Sequence, residues 1–122
     1  MIMNIQTRIK TTDEVLKAFS EAYDARFFKT LAEPVRIQIL SYLMRNGRSD
    51  IGSITENMPQ DRSVVSRHLN QMHAVGMLCC EKETRHVYYT INAQTFVDKL
   101  ERFLALIKES ISVCCPPDCC SK

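Results

Sequence analysis

The chain has 122 residues, 45% of them hydrophobic and 25% charged, with a formal net charge of +2. That is enough for one domain with a modest core and too little for two. No apolar run approaches the ~20 residues that span a bilayer and no signal-peptide pattern opens the chain, so no membrane partner is expected and a cytoplasmic location is. A charge of +2 is too small to argue nucleic-acid binding by itself, so that case must rest on a motif. Three histidines with no HExxH or GxSxG pattern give an enzyme mechanism nothing to stand on.

Residues 1–10 carry no pattern and read as an N-terminal arm. Thr11 and Glu14 then fit a capping box. The run VLKAFSEAYDARFFKTL is helical in composition, anchored by Val15, Phe19, Phe27, Phe28 and Leu31, with a break expected near Tyr23–Ala25. Pro34 sits where a first-turn proline is tolerated. Behind it Val35, Ile37, Ile39, Leu40, Leu43 and Met44 make an apolar helix closed by Asn46-Gly47. A short helix starts between Ser49 and Ser53, with Ser53 and Glu56 as a second capping box and Ile51, Ile54 and Met58 facing inward. Met58-Pro59-Gln60 turns the chain into the next helix.

That helix, DRSVVSRHLNQMHAV, divides into two faces at 100° per residue. Val65, Leu69, Met72 and Val75 form an apolar stripe, and Ser63, Ser66, Arg67 and Asn70 fall opposite. Asp61 supplies an N-cap acceptor and Gly76 a C′ glycine. A solvated face would carry alternating Glu and Lys, whereas one Arg among Ser and Asn suits phosphates and base edges. Two short helices joined by a tight turn, the second with such a face, make a helix-turn-helix, and the second reads as its recognition helix. His68, at the edge of the apolar stripe, reads as a satisfied structural histidine, and His73 as a surface residue.

After Gly76 the period changes to two. MLCCEKE and HVYYTI are strand-like, with Val87, Tyr89 and Ile91 on one face and Tyr88 and Thr90 on the other. Joined at Glu83-Thr84-Arg85, they form a hairpin wing whose Lys82, Arg85 and His86 are placed to touch DNA. Cys79 and Cys80 are expected to pack in the core or wing, as small hydrophobes do. From Asn92 to Val113 the chain is helical again, with Phe96, Leu100, Phe103, Leu104, Ile107 and Ile111 along one side. So small a domain cannot cover that stripe alone, and a second copy of the chain is its expected partner.

The order helix, helix, helix-turn-helix, wing, helix resembles the ArsR/SmtB family of metal-sensing winged-helix repressors. FFKTLAEPVRIQILSYL (27–43), SVVSRHLNQMHAVGML (63–78) and HVYYTI (86–91) carry the resemblance. It implies a dimeric repressor that leaves its operator when a metal or metalloid binds. The family's arsenic-binding Cys-Val-Cys-Asp run matches Asp50-Ile51-Gly52-Ser53 here, so that site is absent. Its zinc site matches Asn92 and Gln94, with Ala105 and Lys108 near the other positions, and is absent too. Asp61-Arg62 also stand where Ser-Gln is common in the family, so the operator sequence is left open.

The thiols remain. Six cysteines fall in three adjacent pairs, Cys79-Cys80, Cys114-Cys115 and Cys119-Cys120. Neighbouring cysteines bridge each other poorly, and in a reducing compartment clustered thiols bind soft metals or sense oxidants. In CCPPDCC, Cys114 lies five helical turns after Phe96 and continues the dimer stripe. Pro116 ends the helix, and Pro117 pre-sets a turn that folds Cys119 and Cys120 back towards the first pair. Some arsenic sensors of the resembled family place their cysteines in this region. Competing readings are a thiol-rich end without a role and a redox switch.

The expected fold is mainly α, a winged helix-turn-helix of four helices, a β-hairpin wing and a C-terminal dimerisation helix. The expected layout is an arm at 1–10, the DNA-binding and dimerisation domain at 11–113 and a Cys-rich tail at 114–122. The expected function is a homodimeric repressor that binds double-stranded operator DNA through Arg62, Ser63, Ser66, Arg67, Asn70, Lys82 and Arg85. As(III) or another thiophilic metal(loid) ion on Cys114, Cys115, Cys119 and Cys120 releases it, and no catalytic cofactor is expected. The alternatives are the same repressor sensing oxidant, persulfide, Cd, Pb or Hg, and a winged-helix protein-interaction module without effector.

Overall fold

The computed structural model describes residues 11–113 in full and the backbone of Cys114. In chain order the elements are α1 (Thr12–Ala22), α2 (Ala25–Leu31), α3 (Pro34–Asn46), β1 (Ser49–Asp50) and α4 (Ile51–Glu56). They continue with α5 (Arg62–Ala74), β2 (Leu78–Glu83), β3 (His86–Ile91) and α6 (Ala93–Cys114). Residues 24–97 form one compact unit, and the described residues before 24 and after 97 form another.

Helix ends follow local chemistry. The Thr11 hydroxyl accepts from the Glu14 amide at 3.1 Å while the Glu14 carboxylate accepts from the Thr11 amide at 2.9 Å, so the expected capping box is complete. Tyr23 is extended, and the Asp24 carboxylate accepts from the Phe27 amide at 3.1 Å to start α2. The break falls where the sequence places it, and it corrects the expected count: five helices, not four, precede the hairpin. Pro34 occupies the first turn of α3, and Gly47 closes that helix at a φ of 74°. Gly76 follows α5 at a φ of 85°, the left-handed geometry that favours glycine past a helix C-terminus.

Three local expectations are corrected. Asp50, not Ser53, caps α4: its carboxylate accepts from the Ser53 amide and hydroxyl at 3.3 and 2.6 Å, and the Ser53–Glu56 box does not form. Ser49-Asp50 is also a strand, paired antiparallel with Tyr88-Tyr89, so the wing is one side of a sheet ordered β1-β3-β2. On α3 the buried face is Arg36, Ile39, Leu40 and Leu43, leaving Ile37 48% and Met44 73% exposed, because one narrow face suffices against α2 and α5.

The core of the 24–97 unit gathers Phe27, Ile39, Leu40, Leu43, Ile54, Val65, Leu69, Met72, Met77, Leu78 and Tyr89. Phe27 meets the rings of Phe28 and Phe96 edge-on, at centroid distances of 5.6 and 5.3 Å. In the other unit Phe103 of α6 stacks on Phe19 of α1 at 5.2 Å and meets Tyr23 at 5.7 Å.

A polar cluster ties α3 to α5. The Arg36 guanidinium, 8% exposed, donates to the Thr30 carbonyl at 2.9 Å, to His68 Nδ1 at 3.1 Å and to the Gln71 side-chain carbonyl. Since Nδ1 accepts, His68 is the neutral imidazole with its proton on Nε2. It is the satisfied structural histidine expected. Burial, then the Arg36 charge, hold its pKa below the ordinary histidine value. As pH falls the unfolded chain therefore takes up this proton first, so the stability tied to neutral His68 is full above the ordinary value and drains away below it.

Replacing fully buried Leu69 by Ala is expected to lower stability by about 2–5 kcal/mol in urea denaturation. Met44→Ala, at an exposed site, should stay within about 0.5 kcal/mol of wild type. His68→Gln keeps an acceptor for Arg36 without a titrating ring. It should flatten the fall in Tm expected of the wild-type chain as pH drops below the ordinary histidine value.

Candidate nucleic-acid interface

The rotation of α5 about its axis is fixed by what it buries. Val65, Leu69 and Met72 have no exposed surface, and Val75 packs partly buried against the same core. On the opposite side Ser63, Arg67 and Asn70 are exposed and Ser66 is half-buried, and Arg62 is exposed in the first turn of the helix. Among the described residues, no hydrogen bond or ion pair occupies the side chains of these five residues. They are available as donors and acceptors to an outside partner. Asp61 holds the N-cap position, with its carbonyl accepting from the Val65 amide at 2.9 Å, but its side chain makes no cap bond. The expected side-chain cap is thus corrected, and the Asp61 carboxylate stays exposed at the head of the helix.

The hairpin runs from Leu78↔Ile91 to Glu83↔His86, and Thr84 takes a φ of 56° in the turn. Lys82, Arg85 and His86 are all exposed. Sequence reasoning missed the residue that makes this wing electrostatically coherent, Arg48. Its guanidinium lies 3.9 Å above the Tyr88 ring and within 3.1 and 3.4 Å of the Glu81 and Glu83 carboxylates. The single Arg48 charge offsets one of the two negative charges of Glu81 and Glu83, beside the exposed cations Lys82 and Arg85. Arg48 and Glu81 lie 33 positions apart, so no local pattern announces the pairing. At the other wing strand His86 Nδ1 stands 3.4 Å from the Asp50 carboxylate. The Ser53 hydroxyl, donating to that carboxylate, holds the Asp50 pKa below its ordinary value.

Cys79 and Cys80 do not pack: both are free and exposed. Only Leu78 is buried along β2, an edge strand, so a small apolar side chain gains no cover there. Cys80 faces Tyr89 across the ladder, and burial, then Cys80, push the Tyr89 hydroxyl pKa up. The side chains of Cys114, Cys115, Cys119 and Cys120 lie outside the described residues. Among the described residues no cluster of three or more His, Cys, Asp or Glu is placed to hold a metal ion. The stripe on α6 divides: Phe96 and Phe103 pack against aromatic neighbours, whereas Leu100, Leu104 and Ile111 are 40%, 50% and 53% exposed.

Comparison with known proteins agrees with this geometry. Residues 33–78 match the family model described as "Bacterial regulatory protein, arsR family". An uncharacterised HTH-type transcriptional regulator of Mycobacterium tuberculosis is 30% identical over 76 residues, 62% of this chain and 67% of that protein. The protein named "Probable mercury resistance operon repressor" of Streptomyces lividans is 27% identical over 93 residues, 75% of this chain and 74% of its own. The structure of an ArsR-like transcriptional regulator from Rhodococcus sp. RHA1 superposes with a TM-score of 0.60 at 25% identity, covering 77% of this chain and 89% of that one. Proteins of this kind regulate transcription at operator DNA and are not enzymes. With its helix-turn-helix, its three-stranded wing sheet and these relatives, the chain belongs to the arsR family of bacterial transcriptional repressors.

Proposed function

We propose that the chain is a homodimeric repressor of the cytoplasm whose operator grip is broken by a thiophilic metalloid, As(III), on its C-terminal cysteines. The observation that carries the DNA half of this reading is the exposed, unengaged polar face of α5 behind a fully buried one. Arg67 and Asn70 bear the forked or amide groups that read base edges, while Arg62, Ser63 and Ser66 suit phosphates. Lys82 and Arg85 add wing contacts to the backbone. A protein-docking face would present aromatics or leucines instead, and α5 presents none outward.

The exposed line of Leu100, Leu104 and Ile111 supports pairing of two α6 helices. A dimer of this kind suits two half-sites about one turn of DNA apart. For the effector, the donor set supports a soft ion. Four thiols within seven residues, Cys114, Cys115, Cys119 and Cys120, match a soft ion and not a hard one. Bound there, the ion would supply strong thiolate bonds that draw the two cysteine pairs together. The likeness to a relative named for mercury resistance, another thiophilic ion, supports the class and leaves Cd, Pb, Hg, persulfide and oxidant as alternative signals.

Fluorescence anisotropy on DNA from upstream of the protein's own gene, with arsenite titrated into the reduced complex, tests the reading. A coupling of about 1–3 kcal/mol corresponds to an affinity loss of about 5- to 150-fold. That loss is expected in wild type and should vanish in the Cys114/115/119/120→Ser protein. Tight binding indifferent to arsenite would overturn the choice of ion and move the titration to Cd, Hg and persulfide. Absence of DNA binding would overturn the reading as a whole.

A further inference from the structure

A cavity of about 350 Å³ lies beside α5, against Gln71 and Ala74, about one and two helical turns along from Arg67. Its walls include Arg26, Lys29 and Thr30 of α2, Arg36 of α3, and Gln71 on α5 with Val75 at its end. Three of these side chains are cationic and no carboxylate lines the cavity. Arg36 is more than nine-tenths buried, yet each of its acceptors, the Thr30 carbonyl, His68 Nδ1 and the Gln71 amide oxygen, is neutral. Among the described residues no carboxylate forms an ion pair with Arg26, Lys29 or Arg36.

A guanidinium carries five N–H donors, and the bonds above engage three nitrogens without supplying any negative charge. A buried charge left without a counter-charge is disfavoured, and proteins ordinarily pair it. Among the described residues Glu33, whose charge reaches His68, forms no ion pair with Arg36, and the wall chemistry of the cavity suits an anion. Arg26 and Lys29 are exposed, so they are positioned as outer cations around the buried Arg36. Forked guanidinium donors fit phosphate oxygens two at a time. The volume is that of a small-molecule site and exceeds what a single chloride needs.

We propose that this cavity binds a small phosphate-bearing molecule, anchored by Arg36 and enclosed by Arg26 and Lys29. Gln71 and Ala74 are α5 residues, so the ligand lies against the helix that carries Arg67 and Asn70. None of the lining residues is a C-terminal thiol, and occupancy of the site would act on α5. A DNA backbone phosphate carries the same chemistry, and the test separates the two sources.

The probe is sodium pyrophosphate, titrated into the full chain without DNA, in chloride buffer of matched ionic strength. Calorimetry and thermal unfolding are read for wild type and for Arg26→Gln/Lys29→Gln, two exposed substitutions that leave the core untouched. The expected result is saturable binding with a rise in Tm in wild type and binding weakened at least about tenfold in the double variant. The DNA affinity of the double variant, measured without pyrophosphate, should equal that of wild type. Non-saturable binding, or the same response in both proteins, overturns the proposal. So does a double variant whose DNA affinity falls and whose salt dependence loses a slope of about two, which would assign these cations to the DNA backbone.

Discussion

The burial of Val65, Leu69 and Met72 is the constraint from which the rest of the 24–97 unit takes its orientation. Each such side chain contributes about 1.5–3 kcal/mol on leaving water, and all three are fully buried on one edge of one helix. A turn of α5 by a single residue, 100° about its axis, would bring part of that edge into solvent. The same constraint holds Ser63, Arg67 and Asn70 outward, so the polar face is aimed by hydrophobic packing and needs no polar contact of its own. Arg36 adds specificity to this packing. Its planar fork bonds His68 and Gln71 on α5 and the end of α2 together, and a fork accepts few other arrangements.

Electrostatics enters at a different scale. A net charge of +2 creates little field over the chain as a whole, so local pairing decides where positive potential lies. Exposed ion pairs such as Arg48 with Glu81 and Glu83 contribute about 0–1 kcal/mol to stability, which is too little to matter for folding. Their consequence is functional. By offsetting one of the two negative charges of Glu81 and Glu83, Arg48 lessens the repulsion they would offer a phosphate backbone near Lys82 and Arg85.

The parts of this structure set by local rules were legible in the sequence. The Thr11–Glu14 capping box, the break at Tyr23–Asp24, the stop at Gly76 and both faces of α5 follow from side chains within four residues of one another. What escaped depends on groups far apart in the chain. The strand at Ser49-Asp50 exists because Tyr88-Tyr89 lies beside it, and a two-residue strand has no period to detect. Arg36 reads as one polar residue on an apolar helix until His68 and Gln71, 32 and 35 positions later, are placed beside it. Cys79 and Cys80 are exposed against expectation because burial of a strand residue depends on whether an element covers it. For the proposed DNA-facing residues the sequence supplied the face and the structure its exposure, while the thiol tail rests on its donor chemistry alone.

The central proposal is that α5 reads DNA with a face held outward by its buried edge. The most direct measurement compares wild type with Arg67→Ala/Asn70→Ala for binding to upstream DNA against a scrambled duplex, with Tm read alongside. Both residues are exposed and without described partners, so Tm should not move. Losing contacts of about 1–3 kcal/mol should reduce the preference for the upstream sequence about 5- to 150-fold or more. Unchanged affinity and unchanged preference in the double variant would contradict a reading role for α5.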